Sequence, residues 1–204
     1  MSSVRQIRVG IEGVADIILH NGQLRDPMNA FSKALSAAAS KAKKSKSDQD
    51  WTDAYETEFI GSLYLDPKLG PVIPADNLQA MLIEGARKRR LGMKFEPFVF
   101  VDEPLDATGY RLNYEGPRDP VAMFNTGEAG MRFIRRANAS GSSVMRCRPK
   151  IKKGWSVEFT IAVSPGGPDL DQVKDAVKDA GLEKGLGDWL PRYGRFCISK
   201  FEQV

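Results

Sequence analysis

Apolar positions in this chain alternate between two periods, and the changes of period mark out its elements. Ile7, Val9 and Ile11 alternate with Gln6, Arg8, Gly10 and Glu12, which predicts a strand with one apolar face over residues 4–18. Asp26 as N-cap and Pro27 at the first helical position then open a helix through Met28, Phe31 and Leu35 to about Lys44. The polar, lysine-rich stretch 40–50 reads as an exposed loop, after which Ser47 or Asp50 caps a helix carrying Trp51, Tyr55 and Phe59. Leu63–Leu65 reads as a short strand, and Asp76 as the cap of a helix whose buried stripe is Leu78, Met81, Leu82, Gly85 and Ala86.

Phe95–Val101 reads as the next strand. Residues 102–140 carry no assignable period beyond a short helix over 130–136. The clearest alternation follows: Met145, Cys147, Pro149 and Ile151 against Arg146, Arg148 and Lys150, a Lys152–Gly154 turn, then Trp155, Val157, Phe159, Ile161 and Val163 against polar neighbours. This predicts a β-hairpin. A helix from Asp169 to Ala180 and a strand from Gly194 to Phe201 complete the chain.

Strand, helix, hairpin, helix, strand is the order of an α+β, ferredoxin-like (RRM-like) domain: an antiparallel sheet with two covering helices. The expectation is a single domain over 1–204, with long insertions at about 19–75 and 94–142. In that register the open sheet face displays Arg8, Arg146, Arg148, Lys150 and Arg195, and is basic. Two readings follow: the face seats a phosphate backbone, or the insertions fold over it and acids such as Asp102, Glu103 and Asp106 pair with the arginines. The aromatics of the expected hairpin point inward, which supports backbone tracking over base stacking.

The Gly185–Phe196 segment adds Gly185, Gly187 and Gly194, cations at Arg192 and Arg195, and flat rings at Trp189 and Tyr193. Glycine lets backbone approach a partner closely, so the loop suits contact with phosphates. It also suits a plain loop after a helix cap at Gly181, anchored by Trp189. Further basic groups are the Lys41, Lys43, Lys44, Lys46 run, Arg87 and Arg90 at a helix end where cations also meet the helix dipole, and Arg132, Arg135 and Arg136.

The net charge of +4 and pI of about 9.0 permit an anionic partner. No apolar run approaches the roughly 20 residues of a membrane span. The N-terminus leads straight into strand-like sequence without a signal-peptide pattern, from which a cytoplasmic location is expected. Cys147 and Cys197 have no zinc-like spacing, and one histidine leaves too few soft ligands for a protein-built zinc centre, so no metal or cofactor is expected. His20 is the lone imidazole available for proton transfer, and its Asn-Gly neighbours equally suit a turn.

Two segments resemble a known family. Val72-Ile73-Pro74-Ala75-Asp76-Asn77-Leu78-Gln79-Ala80-Met81-Leu82 is similar to the helix start of the RAMP superfamily, the RNA-binding subunits of CRISPR effector complexes, although it lacks the family's glycine after Pro74 and has Ala80 where a glycine is common. Gly185–Phe196 resembles that superfamily's C-terminal glycine-rich loop. With its strand ending near Leu19-His20-Asn21 and its Gly-Asp-Trp-Leu-Pro-Arg-Tyr-Gly-Arg-Phe segment at 187–196, the whole sequence also looks like uncharacterised bacteriophage proteins of this size. The resemblance implies a ferredoxin-like core that binds RNA.

The expected function is therefore a non-enzymatic protein that binds single-stranded DNA or RNA and self-associates along it, in the host cytoplasm if phage-encoded. The alternatives are a metal-independent endoribonuclease using His20, or a protein-interaction factor acting on a host defence complex. The expected binding residues are Arg8, Lys43, Lys44, Arg87, Arg90, Arg135, Arg136, Arg146, Arg148, Lys150, Gly185, Gly187, Trp189, Arg192, Tyr193 and Arg195.

Overall fold

The alternation at the start of the chain buries Ile7, Val9 and Ile11 completely and leaves Arg8 and Glu12 in solvent. In the computed structural model, which describes residues 3–139 and 142–204, this strand is β1 (Arg5–Gly13). It is followed by β2 (Ile17–Ile18), a 3-10 turn (Gly22–Arg25), α1 (Ala30–Ser45), α2 (Asp48–Gly61), β3 (Leu65–Asp66), β4 (Gly70–Ile73) and α3 (Ala75–Lys88). Then come α4 (Gly92–Phe95), β5 (Val99–Val101), β6 (Tyr110–Arg111), α5 (Pro120–Asn125), β7 (Arg132–Ala139), β8 (Ser142–Ile151), β9 (Ser156–Val163), α6 (Leu170–Asp179) and β10 (Phe196–Gln203). No described helix is long and apolar enough to cross a membrane.

The chain divides into two compact units. The first comprises Met1–Ile17, Leu65–Glu115 and Lys152–Val204. Its main sheet has the order β10-β1-β9-β5, every neighbour antiparallel. With α3 between β1 and β5 and α6 between β9 and β10, this is the ferredoxin-like α+β fold. Val157, Phe159, Ile161 and Val163 join the β1 isoleucines and Val9 on the buried face, and α3 and α6 contribute Leu78, Met81, Leu82, Val173 and Val177. The helices pack so tightly that a Cβ on Gly85 would run into the Ala176 carbonyl. A capping box starts α6: Gln172 N–H donates to Asp169 Oδ1 at 2.8 Å and Asp169 N–H donates to Gln172 Oε1 at 3.2 Å.

The identity of the second core strand differs from expectation. It is β5, which pairs Val99 with Val163 and Val101 with Ile161. The expected hairpin of 144–151 with 155–163 does not form; β8 pairs with β7 instead. Two alternating segments separated by a Lys-Lys-Gly turn read locally as a hairpin, but alternation records only that one face is buried, not which strand lies alongside.

The open face of the ferredoxin-like sheet is consequently not basic. Register places Arg8, Gly10 and Glu12 beside Thr160, Glu158 and Ser156 on one side and Glu202, Lys200 and Cys197 on the other. Glu12, Glu158 and Glu202 outnumber Arg8 and Lys200, and Lys200 Nζ lies 3.7 Å from both Glu158 and Glu202. A bulge at Gly10/Ile11 sets this register in the second half of β10, bringing Lys200 and Glu202 to the open face.

The second unit comprises Ile18–Tyr64 and Gly116–Ile151. Its sheet runs β2-β8-β7, with α1, α2 and α5. The stretch 40–50, expected as a loop, is mostly helical: α1 continues to Ser45, Lys46 takes a left-handed conformation (φ 54°) and Ser47 begins the next helix. The alanine-rich run sustains the helix, and Lys41 Nζ meets Asp50 at 2.7 Å across the turn. Asn29, not Asp26, caps α1. The segment 132–136, expected as a helix, is the first half of β7, because strand pairing overrides a weak local period.

Candidate nucleic-acid interface

The positive charge of the chain belongs to the second unit. That unit carries 13 Lys and Arg against 8 Asp and Glu, a net +5, whereas the first carries 17 against 18, a net −1, together giving the +4 of the whole chain. From Glu128 to Glu158 the sequence has no acid between them, while β7 and β8 place Arg132, Arg135, Arg136, Arg146, Arg148 and Lys150 on one hairpin. The Ser140–Gly141 stretch between them lies outside the described residues.

Cross-strand register sorts these cations by face. Phe133 opposes Arg148 and Arg135 opposes Arg146, so those four share one face. Lys150 joins them: its Nζ lies 5.5 Å from the Phe133 ring centroid, and Arg135 Cζ lies 5.0 Å from the same ring. Arg136 stands on the other face opposite Met145, both exposed. Arg132 stands there too, with its Cζ 4.8 Å from the ring of buried Phe124. The face carrying Phe133, Arg135, Arg146 and Lys150 combines a flat ring with flanking cations, the chemistry that meets bases and phosphates.

Arg148 is not part of that contact surface. Its Nη1 donates to Glu58 Oε1 at 2.6 Å and to Ser62 Oγ at 3.2 Å, and its side chain is 7% exposed. Glu58, on the buried side of α2, also accepts the Cys147 amide at 2.9 Å and meets Arg146 Nη1 at 3.3 Å. An inward carboxylate thus satisfies the edge of β8 and anchors one of its arginines. Burial raises the Cys147 thiol to about 12, with the Glu58 charge acting in the same direction. Arg146 keeps 35% of its side chain in solvent and remains available to an anion.

Beside this edge lies a groove of about 480 Å³ lined by Ala39, Lys43, Trp51, Tyr55, Val144, Met145 and Arg146. Trp51 and Tyr55 project from successive turns of α2, ring centroids 6.3 Å apart and tilted by 36°. Burial raises the Tyr55 phenol above its ordinary value, which keeps its hydroxyl protonated. Lys43 therefore does enter a concave site, whereas Lys44 stands exposed beside it on α1 and does not line the groove. Trp51, Tyr55, Phe133 and Met145 were not singled out as binding residues by sequence. The available signal was the i, i+4 spacing of two rings beside the lysine run.

The remaining expected residues belong to the first unit. Arg8 sits on the mixed sheet face opposite Thr160 and Glu202. Arg87 is held by Glu84 at 2.6 Å and Glu96 at 2.8 Å, and Arg89 by Asp175 and Asp179. Lys88 pairs with Glu183. That cluster is largely neutralised by its neighbours, and only Arg90 (φ 61°) is recorded without an ion pair among the described residues.

In the Gly185–Phe196 loop the glycines serve the chain's own close approaches. Leu186 N–H donates to the Gly194 carbonyl at 2.9 Å, Gly194 N–H donates to the Asp16 carbonyl at 2.7 Å, and a Cβ on Gly194 would collide with the Leu186 carbonyl. Gly185 (φ 85°) and Gly187 (φ 98°) take left-handed turns. Arg192 and Arg195 are exposed, while Trp189 and Tyr193 are half-buried, with Arg192 Cζ 5.8 Å from the Tyr193 ring. His20, in the second unit, is half-buried and its carbonyl accepts the Tyr64 hydroxyl at 3.2 Å.

No protein-family model matches the chain, and no curated protein matches it. Among solved structures, a chain in the cryo-EM structure of the type III-B Cmr-beta bound to cognate target RNA is similar, at 13% identity and a TM-score of 0.42, over 98% of this chain and 61% of that one. This protein thus spans about three fifths of the length of the chain it matches. The ferredoxin-like assignment rests on strand order and register, which stand independently of that likeness.

Proposed function

We propose that this chain is a non-enzymatic, single-strand nucleic-acid-binding protein whose contact surface is the β7–β8 hairpin face with Phe133, Arg135, Arg146 and Lys150, joined by Lys43 at the adjoining groove. The observation that carries the reading is the hairpin's charge pattern: six cations on two strands with no acid in either, in a chain whose net charge otherwise nearly cancels. The buried Glu58 carboxylate holds Arg148 inside at 2.6 Å and touches Arg146 at 3.3 Å, leaving 35% of the Arg146 side chain in solvent. Exposed like charges repel one another, and a phosphate backbone relieves that repulsion while releasing counterions. Copies binding side by side along one strand would give cooperative isotherms.

Fluorescence anisotropy with labelled single strands of about 30 nucleotides tests this, with duplex DNA as control. Four phosphate contacts on a single strand predict a log-log salt slope of about −3 between about 50 and 200 mM salt. The pair Arg135→Glu and Lys150→Glu should weaken binding at least about tenfold and flatten the slope. Arg8→Glu, on the mixed sheet face, should change it by less than about twofold. Absence of low-salt binding, or equal losses from both sets of variants, would sink the reading. Labelled RNA should stay intact on incubation; cleavage that His20→Ala abolishes would replace it with the endoribonuclease alternative.

A further inference from the structure

We infer that the groove between α1, α2 and the N-terminal half of β8 is a seat for one unpaired nucleobase, with Trp51 as its stacking platform and Lys43 and Arg146 holding the adjoining phosphate. This deepens the nucleic-acid reading above and rests on it. The groove has one aromatic wall and one aliphatic wall. Trp51 and Tyr55 form the first, their rings 6.3 Å apart at 36°, too close and too tilted to sandwich a third ring between them. A base would therefore lie against the aromatic wall with one face. Val144 and Met145 of β8 supply the opposite wall, and Met145 is 48% exposed.

The charge at the rim selects the ligand. Lys43 has no recorded ion pair among the described residues, and Arg146 is held only by the 3.3 Å contact to Glu58. The nearby acid on the helix turn, Asp50, is already engaged by Lys41 at 2.7 Å. A flat, polarisable body attached to an anion matches two rings, a thioether and two cations; an uncharged apolar ligand would leave both cations without a counterpart. The volume of about 480 Å³ falls within the range of small-ligand sites and holds one nucleoside with its phosphate. The groove shares Arg146 with the hairpin face, so a strand tracking Arg135 and Lys150 has one phosphate contact in common with it. Most of the strand would be gripped by its backbone, and one nucleotide would be read by its base.

The test compares a base-bearing oligothymidylate of about a dozen residues with an abasic oligomer of the same length and charge, in competition anisotropy. Wild-type protein should prefer the base-bearing strand by about tenfold, in the range set by one stacking aromatic. Trp51→Leu should erase that preference by weakening the base-bearing strand alone, and Trp51→Phe, which keeps a ring, should retain most of it. Tryptophan emission should be quenched by the base-bearing strand in wild-type protein and markedly less so in Trp51→Phe, because of the other two tryptophans Trp155 is buried and Trp189, half-buried in the Gly185–Phe196 loop, does not line the groove. Equal affinity of wild-type protein for both strands overturns the proposal, as does a preference that survives Trp51→Leu. Equal weakening of both strands by Trp51→Leu assigns the ring a scaffold role and also overturns it. If neither strand binds, the nucleic-acid reading itself fails, and this inference falls with it.

Discussion

Replacing Glu58 tests the part of the interface that is architecture and not contact surface. Glu58 is 4% exposed and Arg148 7%, and their 2.6 Å contact is reinforced by the Cys147 amide on the same carboxylate. At an effective dielectric near 20, two unit charges at that separation attract by about 6 kcal/mol, and desolvation of the two ions offsets most of it. The pair therefore contributes little net stability, yet losing one partner strands the other charge in the interior. Glu58→Gln keeps the shape and one acceptor but removes the charge, so it should cost about 3–5 kcal/mol. With a urea m-value near 2 kcal/mol/M, the midpoint falls by roughly 1.5–2.5 M. Amide exchange over 144–150 should accelerate with it. Glu58→Met combined with Arg148→Met removes both charges and should be more stable than Glu58→Gln alone, keeping a residual cost of about 1–3 kcal/mol for the Cys147 amide left without an acceptor. A Glu58→Gln protein within about 0.5 kcal/mol of wild type, the spread of an ordinary surface change, would refute the reasoning and return Arg148 to the pool of cations free to meet a ligand.

Three further outcomes follow from the geometry. Gly194→Ala places a Cβ against the Leu186 carbonyl at φ 73°, and should lower stability by at least about 2 kcal/mol, read as a melting-temperature drop of roughly 4–8 °C. Asp66 accepts the Thr108, Leu69 and Lys68 amides, which hold its carboxyl below the ordinary value. Its stabilisation is therefore complete above the unfolded-state value of about 4 and is lost as pH falls through the lower folded-state value. Asp66→Asn should accordingly lose stability at pH 7 and show a shallower acid limb, and an unchanged acid limb in that variant would show that other carboxylates carry it. Cys147 is fully buried with its thiol raised to about 12, while Cys197 is exposed. A thiol reagent should therefore titrate one cysteine in native protein and two in denaturant; rapid reaction of both would contradict the packing around β8.

Much of the chain was legible from local pattern because local pattern reports burial. The faces of β1, β9 and α3, the extent of α6 and the helical period of α2 all follow from residues within a few positions of one another. Chain order also conveyed the ferredoxin-like class, because few topologies accommodate two helices among four antiparallel strands, although it counted β8 as the second core strand and left the actual one, β5, in an insertion. Partner choice was not written locally. The strand β8 has the same alternation whether it lies beside β9 or β7, so its arginines were assigned to the ferredoxin-like sheet when they belong to a separate hairpin.

That difference moved the candidate site. Tertiary pairing gave Arg148 a buried carboxylate ninety residues away in sequence, left the sheet face at Arg8 with more acids than bases, and set Trp51 and Tyr55 against Met145. It also assigned the glycines of the Gly185–Phe196 loop to the chain's own backbone, since a missing Cβ looks the same in sequence whether its space is filled by a ligand or by a neighbouring carbonyl. By itself, then, the sequence determined which residues are charged, which face of β1, β9 and α3 is buried and where glycine stands, because these are short-range properties. Only the tertiary structure decided which cations face one another across strands and which are neutralised, because ion pairing and strand pairing depend on distances between residues far apart in the chain.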